Sequence, residues 1–378
     1  MFIYERILSL FIYFVILLIT TFLIQKKSNF KHLNKILFIY VILLSIMAYF
    51  YKPYKTADLY RIFEQMKLYY EPLNFQQFLN WASHNSNFFG MLYFYVFSKT
   101  GIYNLMPAIT AFIFYGLVFK IFLKSQNIFY VNQKDLVFIF LFIMAGGQYV
   151  EVISGIRFML SMVIVSYCIF CENYCGKNIF QNILLYIFSS LIHPASLVIS
   201  LLRFIYLLFQ TEKNKYNKIF KVIFISIFLI FIFILAKSQI VDALNKAEAY
   251  ATNDIYSYTW EYIIAFLIMI YMYFVLKCFK RIDKINYKKN LNYIRFFKMM
   301  YIITFCLFFV YSIFHRYRSF LSIIFIPILF SVYKKMEEKG MEEKRKNFNN
   351  ITLLFLIILF VLIFVRGNLC GLNFFLFN

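Results

Sequence analysis

Long apolar runs recur along this chain and constrain its fold more than any other feature. The first lies in "MFIYERILSLFIYFVILLITTFLIQKK", and others follow roughly every twenty-five residues, which suits helices that cross a bilayer. Residues are 63% hydrophobic and the mean hydropathy is +0.72, more apolar than a soluble core requires. In lipid the backbone polar groups must be satisfied within the segment, which helices achieve. The pattern therefore predicts an all-α, polytopic integral membrane protein.

We predict about twelve membrane segments within a single transmembrane domain that covers residues 1–378. The segments are 4–24, 33–51, 102–123, 135–150, 156–171, 179–192, 194–209, 219–236, 259–276, 299–314, 318–333 and 350–365. Proline disfavours helix continuation, so His193-Pro194 marks either a kink in one helix or a turn between two short ones. The stretch 88–101 is apolar but too short to span, which favours a re-entrant segment.

Basic residues set the predicted orientation. The net charge is +22, which in a soluble protein would suggest nucleic acid, but here the lysines and arginines gather between alternate segments. The stretch "KCFKRIDKINYKKNLNYIRFFK" is the densest such connection. Positive charge favours the cytoplasmic side, so loops 52–101 and 237–258 are expected to be extracytoplasmic. The first apolar run is too long for a cleavable signal and is interpreted as the first span.

Six cysteines occur at positions 168, 171, 175, 278, 306 and 370. Cys171 and Cys175 are closely spaced, but no histidine lies near them in the sequence. Their place at a predicted cytoplasmic helix end favours reduced, structural thiols. No metal-ligand spacing and no glycine-rich phosphate loop occurs, so we predict neither a metal nor a cofactor.

Polar residues near the predicted outer face are the candidate functional groups. Arg157 lies near the front of the apolar run "SGIRFMLSMVIVSYCIF", where a charge costs a few kcal/mol unless it faces a cavity or a partner. The same side holds Asp58 and Arg61 in the first long loop and His193 at the proline break. "IFHRYRSF" adds three more candidates, at the expected turn between two spans: His315, Arg316 and Arg318.

These residue types suit a phosphorylated lipid. Arginine stays charged and can donate two hydrogen bonds to phosphate, and histidine can transfer protons near neutral pH. Each candidate also has a structural interpretation. Arg157 can extend to outer headgroups, Asp58 and Arg61 can form a surface ion pair at i, i+3, and His193 can bond a freed carbonyl. Arg316 and Arg318 cannot share a helical face, so one of them can be an interfacial anchor.

Four patches resemble the EpsG-like, or O-antigen-polymerase-type, proteins of bacterial polysaccharide synthesis. "TADLYRIF" is similar to that family's Gly-Thr-Asp-aromatic stretch, with Ala57 and Arg61 as departures. "SGIRFMLSMVI" resembles its Ile-Arg-Gln-x-Leu-Ala helix start, with Phe158 in place of the usual glutamine. "SSLIHPASLVISLL" and "HRYRSFLSIIFIPIL" resemble later helices. The likeness covers roughly residues 35–335 as a hydropathy plan.

The resemblance implies a GT-C-like membrane glycosyltransferase. Such an enzyme polymerises O-antigen, capsule or exopolysaccharide repeat units, carried on undecaprenyl pyrophosphate, at the outer face of the bacterial cytoplasmic (inner) membrane. Arg157, Arg316, Arg318 and Arg61 would bind the pyrophosphate and stabilise the leaving group. The candidate bases are His193, Asp58 and His315, in that order. Partners would be the lipid-linked oligosaccharide, membrane lipid and a chain-length-regulating protein, without nucleic acid.

Two other functions stay open at this point. An O-antigen ligase uses the same donor but transfers it to lipid A core. A lipid-linked-oligosaccharide flippase, which is no enzyme, would carry charged residues on both sides of the midplane. The ionisable groups of the predicted spans cluster near one face, which favours the polymerase. An acyltransferase is disfavoured because the first two spans contain no histidine.

Overall fold

The computed structural model describes residues 2–26, 29–53, 55, 57–83, 88–147, 149–177, 179–208, 226, 259–282 and 291–370. Across these ranges the regular structure is helical and no β-strand occurs, which confirms the predicted all-α class. The helices up to the proline break are α1 Phe2–Lys26, α2 Phe30–Tyr49, α3 Asp58–Gln65, α4 Phe75–Ala82, α5 Phe88–Ser98, α6 Leu105–Phe129, α7 Gln133–Gly146, α8 Tyr149–Ser154, α9 Ile156–Tyr174 and α10 Ile179–Ile192. Those that follow are α11 Pro194–Leu208, α12 Thr259–Ile282, α13 Leu291–Cys306, α14 Tyr311–Ile324, α15 Ile326–Glu338 and α16 Glu342–Cys370.

Six described helices are long and apolar enough to cross a membrane, namely α1, α2, α6, α9, α12 and α16. The pair α14 and α15 would add a seventh span; it bends by 43° at Phe325, next to Pro327, which lacks an amide for the helical ladder. A polytopic membrane protein is thus confirmed. The described residues do not reach about twelve spans, because several predicted segments form helices of 14–16 residues. The predicted segment 219–236 and the predicted loop 237–258 lie outside the described residues, apart from residue 226.

Helix α9 is the centre of the bundle. In the most apolar 18-residue stretch of α9, 83% is buried inside the protein, compared with 22% for α16. Helix α9 is therefore surrounded by other helices. It packs against α6, α10, α11 and α14, while α2 lies along α6. Polar groups at the two ends of α9 therefore lie where several helices meet.

Helices α10 and α11 form a hairpin that turns at His193-Pro194. The rings of Tyr186 and Phe204 lie 5.3 Å apart. On one straight helix these residues would be about 27 Å apart, at 1.5 Å of rise per residue. The break is consequently a turn between two short helices and not a kink.

The predicted loop 52–101 is largely helical. Helix α3 continues into a π-helical turn, Met66–Tyr70, and helices α4 and α5 follow. Helix α5 has 11 residues and spans about 16 Å, too short to cross a bilayer, as expected from its sequence. It packs against the hairpin, where the rings of Phe89 and Phe188 lie 5.4 Å apart.

Candidate active site

Arg157 lies in the first turn of α9 and forms no ion pair within 4 Å with any of the described residues. Its guanidinium stacks on the ring of Phe94 from α5, 5.1 Å from the centroid. Gly90 makes this approach possible, since a Cβ there would lie 2.7 Å from Arg157 Cδ and 3.0 Å from the carbonyl oxygen of Ile192. The glycine thus allows α5, Arg157 and the hairpin tip to meet at one point.

Arg316 and Asp58 lie within electrostatic range of Arg157. Arg316 stacks on the ring of Phe158, 5.7 Å from the centroid, and the same ring meets His193 edge-on at 5.6 Å. The structure therefore brings Asp58, Arg157, His193 and Arg316 together at one end of α9. Like charges on two guanidinium groups repel, which favours an anion between them.

His193 caps the start of α11. Its Nδ1 accepts a hydrogen bond from the backbone N–H of Ala195 at 3.1 Å, so it bonds a freed amide where the sequence suggested a freed carbonyl. Neutral imidazole has a single lone pair, which this bond occupies. In this arrangement Nε2 carries the proton and can donate a hydrogen bond.

Asp58 and Arg61 form an ion pair on the exposed face of α3, as the i, i+3 spacing suggested. The side chains are 60% and 66% exposed, so the pair is in contact with water. Such pairs contribute little stability. The Arg61 side chain therefore points to Asp58. Helix α3 itself packs against α8, the short helix that precedes Arg157.

His315, Arg316 and Arg318 lie within α14, not at a turn between spans as predicted. The chain turns earlier, at residues 307–310, which lie between the end of α13 at Cys306 and the start of α14 at Tyr311. Arg316 and Arg318 point to different neighbours, as their spacing requires. Arg318 is fully buried, so it is no interfacial anchor.

Glu151 joins His315 and Arg318 into one network. Its Oε2 lies 2.9 Å from His315 Nε2 and 3.3 Å from an Arg318 nitrogen. Arg318 also donates to the carbonyl of Gly146 at 2.7 Å and approaches His315 Nδ1 at 3.2 Å. Gly146 has no Cβ, and one there would lie 3.4 Å from Ser322, so α14 can approach the end of α7.

Glu151 is not among the candidate residues predicted from the sequence. A signal was present, because Glu151 is the only acidic residue between Asp135 and Glu172 in the sequence. It stands between the glycine pair that ends α7 and Gly155, which precedes α9. An isolated carboxylate beside breaks in an apolar stretch is a functional candidate.

Among the described residues, two ion pairs between different helices lie away from this site. Glu172 at the end of α9 binds Arg203 at 3.0 Å, with the side chains 6% and 2% exposed, and Tyr186 donates to the same carboxylate at 2.8 Å. Asp135 binds Arg345 at 2.7 Å. Glu172 lies fifteen residues after Arg157, about 22 Å along the helix. The expectation that ionisable groups cluster near one face is wrong, and it no longer separates a polymerase from a flippase.

Five cysteines in the described residues are free thiols: Cys168, Cys171, Cys175, Cys278 and Cys306. In the same part of the chain no group of histidine, cysteine and acidic residues is arranged to hold a metal ion.

A family model described as the EpsG family matches residues 60–377. The match begins just after Asp58 and includes the other candidate residues from Arg61 to Arg318. No curated protein and no solved structure matches the chain.

Proposed function

Because the chain belongs to the EpsG family, we propose that it is a membrane polysaccharide polymerase. Its substrates would be oligosaccharide repeat units on undecaprenyl pyrophosphate, and it would join them at the outer face of the bacterial cytoplasmic membrane. The growing glycan leaves its lipid carrier and is transferred to a new lipid-linked unit. The leaving group is undecaprenyl pyrophosphate.

The single observation that carries this proposal is that the half-buried Arg157 forms no ion pair within 4 Å with the described residues. Removing part of a guanidinium from water is costly unless an opposite charge or hydrogen bonds compensate. Arg316 adds a second positive charge nearby. A pyrophosphate would compensate Arg157 and would also be attracted by Arg316, and its oxygens match the forked donors of arginine.

The same contacts suit the chemistry of the transfer. Negative charge grows on the pyrophosphate as the bond to the anomeric carbon breaks, and Arg157 and Arg316 would stabilise it in place. The Nε2 proton of His193 is a further donor at the hairpin tip. Arg318 and Arg61 are already engaged by carboxylates, so we assign them to shaping the site and not to binding the pyrophosphate.

Aromatic side chains beside Arg157 favour a sugar substrate. Tyr70 lies within electrostatic range of Arg157, and its ring meets that of Trp81 at 5.4 Å. Trp81 is 42% exposed although it is large and apolar. Flat aromatic surfaces can pack against sugar rings while their polar atoms stay hydrated. This group would hold the oligosaccharide while the arginines hold its pyrophosphate.

A complementation experiment tests this function. A deletion strain receives wild type, Arg157→Ala, Arg157→Lys or the control Arg281→Ala, an exposed arginine in the last turn of α12, at matched membrane levels. We expect wild type and Arg281→Ala to restore the polysaccharide ladder. Arg157→Ala should leave single repeat units, and Arg157→Lys should restore the ladder only weakly, since lysine lacks the fork.

Other outcomes would identify the alternatives. If single units accumulate on undecaprenyl pyrophosphate and never reach lipid A core, a ligase or a flippase explains the deletion better. A full ladder with Arg157→Ala would show that this arginine only anchors the helix in the headgroups.

A further inference from the structure

We propose that Glu151 is the catalytic base that takes the proton from the attacking sugar hydroxyl, with His315 and Arg318 as its positioning residues. This inference rests on the proposed glycosyl transfer. It assigns a role to a carboxylate that neither the motifs nor the family resemblance had marked.

The Glu151 carboxylate is held in one orientation. Two donors from α14, His315 Nε2 at 2.9 Å and an Arg318 nitrogen at 3.3 Å, converge on the same oxygen, Oε2. Charge-assisted hydrogen bonds of this kind position a carboxylate toward a substrate.

The contacts of His315 indicate which of its ring nitrogens carries the proton. Arginine can only donate, so the 3.2 Å contact from Arg318 makes His315 Nδ1 the acceptor. The ring proton is then on Nε2, which faces Glu151. The lone pair of His315 is occupied, so the imidazole holds the carboxylate and does not itself act as the base.

The alternative bases are less suitable. The lone pair of His193 accepts from Ala195, and the Asp58 side chain is 60% exposed, so its carboxylate is in contact with water. Glu151 combines a held carboxylate with partial access, since its side chain is 11% exposed while Arg318 behind it is fully buried. The substrate would therefore approach from the side of Glu151 and His315.

Glu151 lies close in the chain to the proposed pyrophosphate site. The N–H of Gly155 donates to the Glu151 carbonyl at 2.8 Å, so one helix break separates Glu151 from Arg157. Helix α14 carries both His315 and Arg316. The same two chain segments thus supply the base with its partner and the two arginines.

In the proposed step, the acceptor hydroxyl transfers its proton to Glu151 as its oxygen bonds to the anomeric carbon. The bond from that carbon to the pyrophosphate oxygen breaks, and its electron pair leaves with the undecaprenyl pyrophosphate beside Arg157 and Arg316. The protonated Glu151 then releases its proton to water.

The test uses the purified full chain in lipid nanodiscs with lipid-linked repeat units. Glu151→Gln keeps an oxygen that can accept from His315 but cannot take a proton. We expect its kcat to fall at least about 100-fold, the range for losing a general base, with little change in KM. The control Glu64→Gln, on the exposed part of α3, should match wild type. Glu151→Asp should regain part of the lost rate.

His315→Gln separates a base from a positioning residue. A glutamine amide can donate to Glu151 in place of imidazole Nε2, so we expect activity within about 10-fold of wild type. If His315→Gln is as inactive as Glu151→Gln, while both variants are folded, histidine is the base and the proposal is overturned.

The same assay distinguishes a failure of the proposed function from a failure of the role proposed for Glu151. Absence of polymer with wild-type protein overturns the proposed function. Polymerisation by wild type together with full activity of Glu151→Gln overturns the role of Glu151 and leaves the function standing. Thermal unfolding of each purified variant identifies any loss that comes from misfolding.

Discussion

His315 Nε2 lies 2.9 Å from Glu151 Oε2, which links the middle of α14 to the short helix α8. This contact joins two segments that also carry Arg316 and precede Arg157. The proposed base and the proposed pyrophosphate site are in this way held on common elements.

Gly90 should be intolerant of a side chain. A Cβ there would lie 2.7 Å from Arg157 Cδ and 3.0 Å from the Ile192 carbonyl, so Gly90→Ala must displace the arginine or the hairpin tip. Overpacking of this kind costs about 1–3 kcal/mol. We expect reduced polymer formation and a lower unfolding temperature. Gly116→Ala is the matched control, because its Cβ would meet nothing within 4 Å, and it should leave both measurements unchanged or slightly improved.

Breaking the buried pair of Glu172 and Arg203 should destabilise the fold. Glu172→Gln or Arg203→Met alone leaves one poorly compensated group in the interior, at a cost of about 3–5 kcal/mol. The double variant should recover much of that loss. Thermal unfolding of the purified protein measures the effect, and Arg61→Ala, in an exposed pair, should change stability by less than about 1 kcal/mol. Equal effects for the two pairs would contradict the burial argument.

Phe158→Gln should retain activity, whereas Phe158→Ala should lose most of it. The Phe158 ring supports both His193 and Arg316. Glutamine stands here in proteins that this chain resembles, and its amide can reach polar neighbours that an alanine cannot. Ladder length in the complemented strain is the measurement. Inactivity of the glutamine variant would mean that this chain depends on the aromatic contact.

The predicted orientation can be measured with single cysteines in a background where native cysteines are serine. Glu64→Cys on α3 and Glu343→Cys on α16 are both exposed positions. A membrane-impermeant maleimide added to intact cells, with the outer membrane opened where one is present, should label Glu64→Cys alone. After full permeabilisation it should label both. The reverse pattern would place the candidate site on the cytoplasmic side and contradict the positive-inside argument.

The apolar runs of the amino-acid sequence are long enough to predict helices that cross a membrane. Length and apolarity are local properties, because a helix satisfies its own backbone hydrogen bonds within a few residues. Arg157 and the proline break at His193 stood out for the same reason, since a charge or a proline is unusual in such a run wherever the run packs. Membership of the EpsG family agrees with the resemblance that these patches carried.

Only the tertiary structure decided which polar groups meet and what each can do. Helices α10 and α11 form a hairpin, and a backbone amide donates to the lone pair of His193. His315 and Arg318 lie in a helix that faces Glu151, and not in the expected turn. The tertiary structure also placed the pair of Glu172 and Arg203 at the far end of α9. Apolar periodicity shows that a helix has a buried face but does not specify its partner. The pairing of charges depends on helix packing between residues distant in sequence, so Glu151 could be proposed as the base only once α8 and α14 were seen together.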